Sequence, residues 1–277
     1  MLTPGKYTQL QIGEILPMGV YAFDPKGDIE QTVFIPYVSD SYQSGQTINT
    51  FVYYDEEGNL QGTTEDVRLR IGQFSALKIK SIIGAGAFVD WGLKPDLFIP
   101  REHLHSQVHE NMLSVLTMFH DPYKKQLCAS TKVEKYLSEA PNKLSTTEPF
   151  SLLIYAETPL GFKAIIDQKY TGLLYKNELF TPLRIGQTIT GYVKEVRADG
   201  KIDLQLQRQD QGSRDELATQ ILDDLIAHDG LSSLTDKSKP EEIRQRFNVS
   251  KNAYKKALGQ LYKERKITIH SSHISLV

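Results

Sequence analysis

This sequence is short of what would tie it to a membrane, an oxidising compartment or a strongly charged partner. It holds a single cysteine, Cys128, so no disulfide can close within the chain, which fits a reducing cytoplasm. No apolar run approaches the roughly 18 residues of a membrane span. The opening Met1-Leu2-Thr3-Pro4-Gly5-Lys6 lacks the charged and apolar regions of a signal peptide. These absences lead to the expectation of a cytoplasmic protein with no membrane partner. The formal net charge is only −2, so any nucleic-acid binding has to come from local patches.

Catalytic signatures are equally scarce. There is no phosphate-binding loop and no dinucleotide glycine fingerprint in a strand-to-helix context. Cys128 has no His/Asn context that marks a nucleophile and reads as a small buried residue. The run from Glu102 to His109 contains His103, His105 and His109. If it were helical, His105 and His109 would share a face, but no cysteine or acid falls at a supporting spacing. The three are read as surface histidines. Asp223-Asp224 sits in a helical stretch and reads as solvated charge. No enzyme activity, cofactor or metal is expected.

What the chain does have is one pattern written three times. The first copy reads Gly19-Val20-Tyr21-Ala22-Phe23-Asp24, then Thr32-Val33-Phe34-Ile35-Pro36. The second reads Gly84-Ala85-Gly86-Ala87-Phe88-Val89-Asp90, then Leu97-Phe98-Ile99-Pro100. The third reads Gly161-Phe162-Lys163-Ala164-Ile165-Ile166-Asp167, then Thr171-Gly172-Leu173-Leu174-Tyr175. Self-similarity of this kind signals a repeated structural unit.

Each copy is followed by a hairpin. Gly45–Tyr54 leads through the turn Asp55-Glu56-Glu57-Gly58-Asn59 to Leu60–Thr64. Val115–Phe119 leads through Asp121–Lys125 to Gln126–Ser130. Gly186–Lys194 leads through Ala198-Asp199-Gly200-Lys201 to Ile202–Leu206, where Ile202, Leu204 and Leu206 alternate with polar residues. Thr32–Val38 is also read as a strand. Each copy thus has about five short strands, the count of a small five-stranded barrel. The expected units are 1–66, 67–140 and 145–211, with a polar, proline-bearing linker at Pro141–Thr147.

After Gly212 the periodicity becomes helical. Ser213 is placed as the cap of a helix from Arg214 to about His228, with Leu217, Ile221, Leu222 and Leu225 inward and Asp229-Gly230 at its end. Pro240-Glu241-Glu242 reads as the first turn of a second helix. Ser250 caps a third, running through Lys266, with Ala253, Ala257, Leu258 and Leu261 inward. Ile267–His270 and His273–Val277 read as a terminal hairpin. Three helices and a hairpin over 213–277 make a winged helix.

The fold class expected is therefore mainly β with α: tandem OB-fold barrels followed by a winged-helix domain. Gly86–Asp90 and Gly172–Leu179 resemble the two best-known stretches of S1-type RNA-binding domains. The whole layout, essentially end to end, resembles the conserved virulence factor B family of bacterial RNA-binding regulators. That resemblance implies single-stranded RNA as the partner and a role in post-transcriptional gene regulation. By the S1 pattern Phe88 and Tyr175 are platform aromatics, and Phe162 is a looser match. Two positions depart from it: Ala85 stands where an aromatic is usual, and Ile99 or Pro100 stands where a histidine is usual. The first copy is read as a degenerate barrel that keeps only Tyr21, Phe23 and Phe34.

An OB face binds unpaired bases by stacking, about 1–3 kcal/mol per base, and tolerates any base because each has a π-face. Strand alternation favours the barrel core for Phe34, Phe98 and Phe162, whereas the match to the S1 motifs and the use of OB faces for oligonucleotides imply the surface for Phe88 and Tyr175. Phosphates need cations. Lys78, Lys80, Arg101, Lys124 and Lys125 lie in copy two, and Lys163, Lys169, Lys176, Lys194 and Lys201 in copy three. Copy three combines most cations with Tyr175 and ranks as the better RNA candidate. Between 240 and 266, eight basic residues stand against three acids. Lys251, Asn252, Tyr254, Lys255 and Lys256 at the start of the third helix form the expected contact face. The competing readings are a DNA-binding transcription regulator that reads duplex DNA through the winged helix, and a non-binding interaction scaffold. The oligomeric state is left open.

Overall fold

The computed structural model describes all residues except 1, 28, 29, 37–41, 122, 123, 125, 180, 181 and 207–210, and the side chains of 211 and 213. Tyr37 and Val38 of the expected first-copy strand, most of the middle hairpin turn and the candidate cation Lys125 lie outside the described residues.

The threefold pattern folds as three closed barrels with one strand order. The first is built from β1 (Tyr7–Leu16), β2 (Gly19–Phe23), β3 (Thr32–Pro36), β4 (Thr47–Tyr54) and β5 (Leu60–Thr63). The second uses β6 (Phe74–Ile83), β7 (Gly86–Val89), β8 (Leu97–Pro100), β9 (Leu113–Asp121) and β10 (Gln126–Ser130). The third uses β11 (Phe150–Glu157), β12 (Gly161–Ile166), β13 (Tyr170–Tyr175), β14 (Thr188–Val196) and β15 (Ile202–Gln205). In each, the first three strands run as an antiparallel meander, and the fifth returns parallel to the third to close the barrel. Each first strand also carries a bulge, between Ile12 and Ile15, Ile79 and Ser81, and Ile154 and Ala156. A bulge bends a strand sharply enough to serve two sides of a small barrel.

The repeated glycine has a steric cause. Gly19, Gly86 and Gly161 each open a second strand and pair with the last residue of a third: Pro36, Pro100 and Tyr175. A Cβ at any of them would run into a carbonyl oxygen of that third strand, of Ile35, Ile99 or Leu174. The motif therefore marks closure of the barrel before it marks anything about binding.

The barrels pack on one another. Phe51 of β4 meets Trp91, just beyond β7, edge-on at 5.8 Å inside one shared core. Trp91 Nε1–H donates to the Pro95 carbonyl at 2.8 Å, which lets the indole be buried. A second shared core joins Phe74, Val115 and Val133 of the second barrel to Leu153 and Ile165 of the third.

The C-terminal part is α1 (Gln211–Ala227), β16 (Leu231–Ser232), α2 (Pro240–Phe247), α3 (Lys251–Lys263), β17 (Ile267–Ile269) and β18 (Ile274–Leu276), with sheet order β16-β18-β17. Helices packed on a small winged sheet bear out the expected winged helix. Three local readings need correction. α1 already includes Gln211, so Ser213 lies inside the helix and not at its N-cap position. α3 stops at Lys263, short of Lys266, and Arg265 turns left-handed just beyond it. Asp224 is not plain solvated charge: it accepts from Arg246 Nε at 2.7 Å and ties α1 to α2. Ser250 does cap α3, accepting from the Ala253 N–H at 3.1 Å.

Candidate nucleic-acid interface

The identical register of the three barrels puts equivalent side chains in equivalent places. Across the outside of the first barrel runs the row Tyr21, Phe34, Gln61, Tyr53, one residue per strand. In the second barrel the same row reads Phe88, Phe98, Cys128, Phe119. In the third it reads Lys163, Leu173, Asp203, Glu195. Two barrels present aromatic pairs on the second and third strands, the face by which OB folds take oligonucleotides. The third presents a salt-forming, non-aromatic row.

The aromatic pairs match closely. Tyr21 and Phe34 have ring centroids 5.3 Å apart, and Phe88 and Phe98 5.2 Å, both tilted. Each ring is half-buried or exposed, while its strand neighbours Val20, Ala22, Val33, Ile35, Ala87, Val89, Leu97 and Ile99 fill the cores. Phe88 is thus on the outer surface, as expected. Phe34 and Phe98 correct the expectation of core burial: alternation puts half the residues inside, and these two fall on the other phase. Phe162 does go inside, at 7% exposure, one place out of register with Tyr21 and Phe88. It is a core residue and leaves the set of contact candidates.

The second row extends further. The His103 imidazole stacks on Phe119 with centroids 4.3 Å apart, and the Tyr136 hydroxyl lies 3.2 Å from His103 Nδ1. Burial lowers the pKa of His103 below its ordinary 6.5. This histidine is therefore a packed partner of the aromatic row, not the surface histidine expected. Cys128 lies buried between Phe98 and Phe119, and burial raises its thiol pKa. His103, Phe119 and Tyr136 escape sequence reading because their approach depends on a 3-10 turn at Arg101–His103 and another at Val133–Tyr136.

In the third barrel the equivalent face meets the second barrel. Lys163 Nζ donates to Glu134 Oε1 at 2.7 Å, and the Tyr155 hydroxyl donates to the same oxygen at 2.9 Å. The Lys163 hydrogen bond holds Glu134 below its ordinary pKa, and burial raises that of Tyr155. Tyr175 is half-buried at the end of β13, with its hydroxyl donating to Asp203 Oδ1 at 3.2 Å.

The expected cations divide into held and free. Lys80 pairs with Asp96, Lys176 with Glu157 at 2.6 Å and Lys194 with Glu178 at 2.6 Å. The hydrogen bonds to Asp96 and Glu178 raise the pKa of Lys80 and Lys194. Lys176 also sits 6.0 Å from the Phe162 ring centre. Lys78 and Arg101 are exposed and carry no ion pair among the described residues.

On α3, Asn252, Lys255 and Lys256 are exposed, and Lys251 Nζ donates to the Lys237 carbonyl at 3.2 Å. Tyr254 corrects the expected contact face. It is wholly buried, stacks with Phe247 at 5.3 Å and donates its hydroxyl to the Leu234 carbonyl at 3.0 Å. Its spacing with Leu258 and Leu261 puts it on the inner stripe. Tyr262, 57% exposed, and Lys263 continue the outer face that starts at Asn252, by the same helical period.

Comparison with known proteins agrees with this architecture. Residues 4–65 match the family model of the S1 domain, and residues 219–276 that of the CvfB-like winged helix domain. The S1 match falls on the first barrel, the copy that sequence reading placed last. Conserved virulence factor B of Staphylococcus haemolyticus is 28% identical over 86% of this chain and 82% of its own. Protein YitL of Bacillus subtilis, described as uncharacterized, is 26% identical over 96% of this chain and 91% of its own. A Streptococcus pneumoniae crystal structure, described as a multidomain protein with nucleic acid binding domains, is 21% identical and aligns over 99% of this chain and 98% of its own, with a TM-score of 0.43. With an S1-domain match at its start, a CvfB-like winged-helix match at its end and relatives of that name aligned over 86% of its length, the chain is similar to the conserved virulence factor B proteins.

Proposed function

We propose that this protein binds single-stranded RNA without catalysing a reaction, through the aromatic faces of its first two barrels and the basic face of α3. The observation that carries the reading is the pair of matched outer-face couples, Tyr21 with Phe34 and Phe88 with Phe98, at one register position in two barrels. Half-exposed ring pairs on this face suit stacking with unpaired bases, and bases in a duplex are not free to stack there. Tandem linkage strengthens two weak sites, because the second contact is intramolecular once the first has formed. The third barrel then serves less as a platform than as a support packed against the second barrel. The S1 and winged-helix matches support a nucleic-acid partner, and a role in regulating gene expression after transcription is what the resemblance of the whole layout implies.

A duplex-DNA reading has one observation in its favour, the exposed cations Lys255 and Lys256 on α3, the helix that enters the major groove in helix-turn-helix modules. The deciding experiment titrates the full chain with a labelled U-rich RNA and with duplex DNA at about 50 and 200 mM salt. Tighter, salt-sensitive binding to the RNA supports the proposal. Preference for the duplex overturns it in favour of the DNA reading, and no salt-sensitive binding to either leaves a scaffold.

A further inference from the structure

The aromatic pair of the second barrel does not lie on an open face. Phe88 and Phe98 line a cleft of about 590 Å³ whose other wall is the β4–β5 turn of the first barrel, with Tyr54, Asp55 and Glu56. That volume lies within the range of small-molecule sites, and a junction between domains is where such sites collect. The mouth is acidic: Asp55, Glu56 and Asp96 line it against Lys124.

These carboxylates are not alike. Asp55 is spent on its own turn, accepting from the Glu57 and Asn59 N–H groups and from the Gln61 amide, which together hold its pKa low. Asp96 faces Lys80 and Lys94. Glu56 is exposed and has neither a hydrogen bond nor an ion pair among the described residues. An aromatic floor with one free carboxylate at its edge selects against phosphate inside the cleft and for a flat ring bearing N–H donors. An ionised carboxylate only accepts hydrogen bonds. Of the four RNA bases, guanine alone offers it two adjacent donors, N1–H and the N2 amino group, on the Watson–Crick edge. Uracil offers one donor flanked by two carbonyl oxygens, which a carboxylate repels.

We propose that this cleft is a guanine-selective base slot: an unpaired guanine stacks on Phe88 and Phe98, Glu56 reads its Watson–Crick edge, and the backbone leaves past Lys124. The proposal rests on the single-stranded RNA reading above and adds a base preference that stacking alone does not give.

The chain's one tryptophan, Trp91, lines the same cleft and reports on its occupancy. The test uses the full chain and uridine oligonucleotides that carry a single central G, A, C or U, followed by anisotropy and by Trp91 emission. The G oligonucleotide is expected to bind roughly tenfold more tightly than the all-U one and to change the emission. Glu56→Gln, in an exposed turn, is expected to abolish most of that preference while leaving all-U binding intact or slightly stronger. Equal affinities for all four oligonucleotides overturn the slot and leave the RNA reading standing. So does a G preference that survives Glu56→Gln. Trp91 emission that responds to an arginine-rich peptide and not to the G oligonucleotide assigns the cleft to a cationic protein segment instead. Failure to bind any oligonucleotide overturns the RNA reading and the slot together.

Discussion

Lys163 holds in the third barrel the register position that Phe88 holds in the second. Phe88 faces outward beside Phe98, whereas Lys163 is tied to Glu134 in the seam between barrels. One backbone position thus serves as a stacking surface in one copy and as a joint in another. Phe88→Ala and Tyr21→Ala are each expected to weaken RNA binding roughly 5- to 150-fold, the worth of one lost stack. Tyr175→Ala is expected to cost less, because its hydroxyl is already committed to Asp203. Anisotropy titrations, with circular dichroism to check folding, rank the three. A Tyr175→Ala loss larger than that of Phe88→Ala would restore the third barrel as the main platform.

The repeated glycines make a separate prediction about stability. At Gly86 a Cβ would meet the Ile99 carbonyl, while at nearby Gly84 it would meet nothing within 4 Å. Gly86→Ala is expected to cost about 2–4 kcal/mol through overpacking and backbone strain, and Gly84→Ala to stay within about 0.5 kcal/mol. Urea midpoints of the two variants decide it. Equal midpoints would mean that the motif is not kept for barrel closure.

The architecture was legible in the sequence because its signals are local. Strand alternation, the Asp55 and Asp199-Gly200 turns, the Ser250 cap and the left-handed Asp229-Gly230 stop all depend on neighbours in the chain. The site was legible only in part. Phe88 is legible because it sits in a recognisable motif. Phe34 and Phe98 are not, because alternation fixes that a strand has two faces, not which phase points inward. Tyr254 stands among basic residues that suggest an outer face, but its spacing with Leu258 and Leu261 puts it on the inner stripe. The weakness of the third copy was hidden for a different reason. Its cations are abundant in sequence, but Glu134, Glu157 and Glu178, which hold three of them, are positioned by turns and by packing between barrels.

The seam between the second and third barrels carries a pH signature. Lys163 hydrogen-bonds Glu134 and lowers its pKa from the ordinary 4.5, with burial opposing. The unfolded chain therefore takes up a proton there first. The stabilisation is fully present above about pH 5 and is lost as pH falls through the lower, folded value. Both side chains are well exposed, so the pair is worth at most about 1 kcal/mol. Urea midpoints of the native chain and of Lys163→Met are expected to differ at pH 7 and to converge as the pH drops below 4.5. A gap that stays constant would assign the effect of Lys163 to packing of its alkyl chain.

The winged helix is best tested by salt dependence rather than by affinity at one condition. Lys255 and Lys256 are exposed on α3 and free of ion pairs among the described residues, so each phosphate contact they make releases a counterion. Replacing both with alanine is expected to lower the slope of log affinity against log salt by about 1 to 2. Helix packing is expected to be untouched, because the inner stripe of Tyr254, Ala257, Leu258 and Leu261 keeps its contacts. The same change in Lys176 and Lys194 is expected to move the slope less, since Glu157 and Glu178 already neutralise them. If the α3 variant keeps the native slope while Phe88→Ala still weakens binding, RNA is held by the barrels alone. The outer face of α3, from Asn252 through Tyr262 and Lys263, is then left to a protein partner.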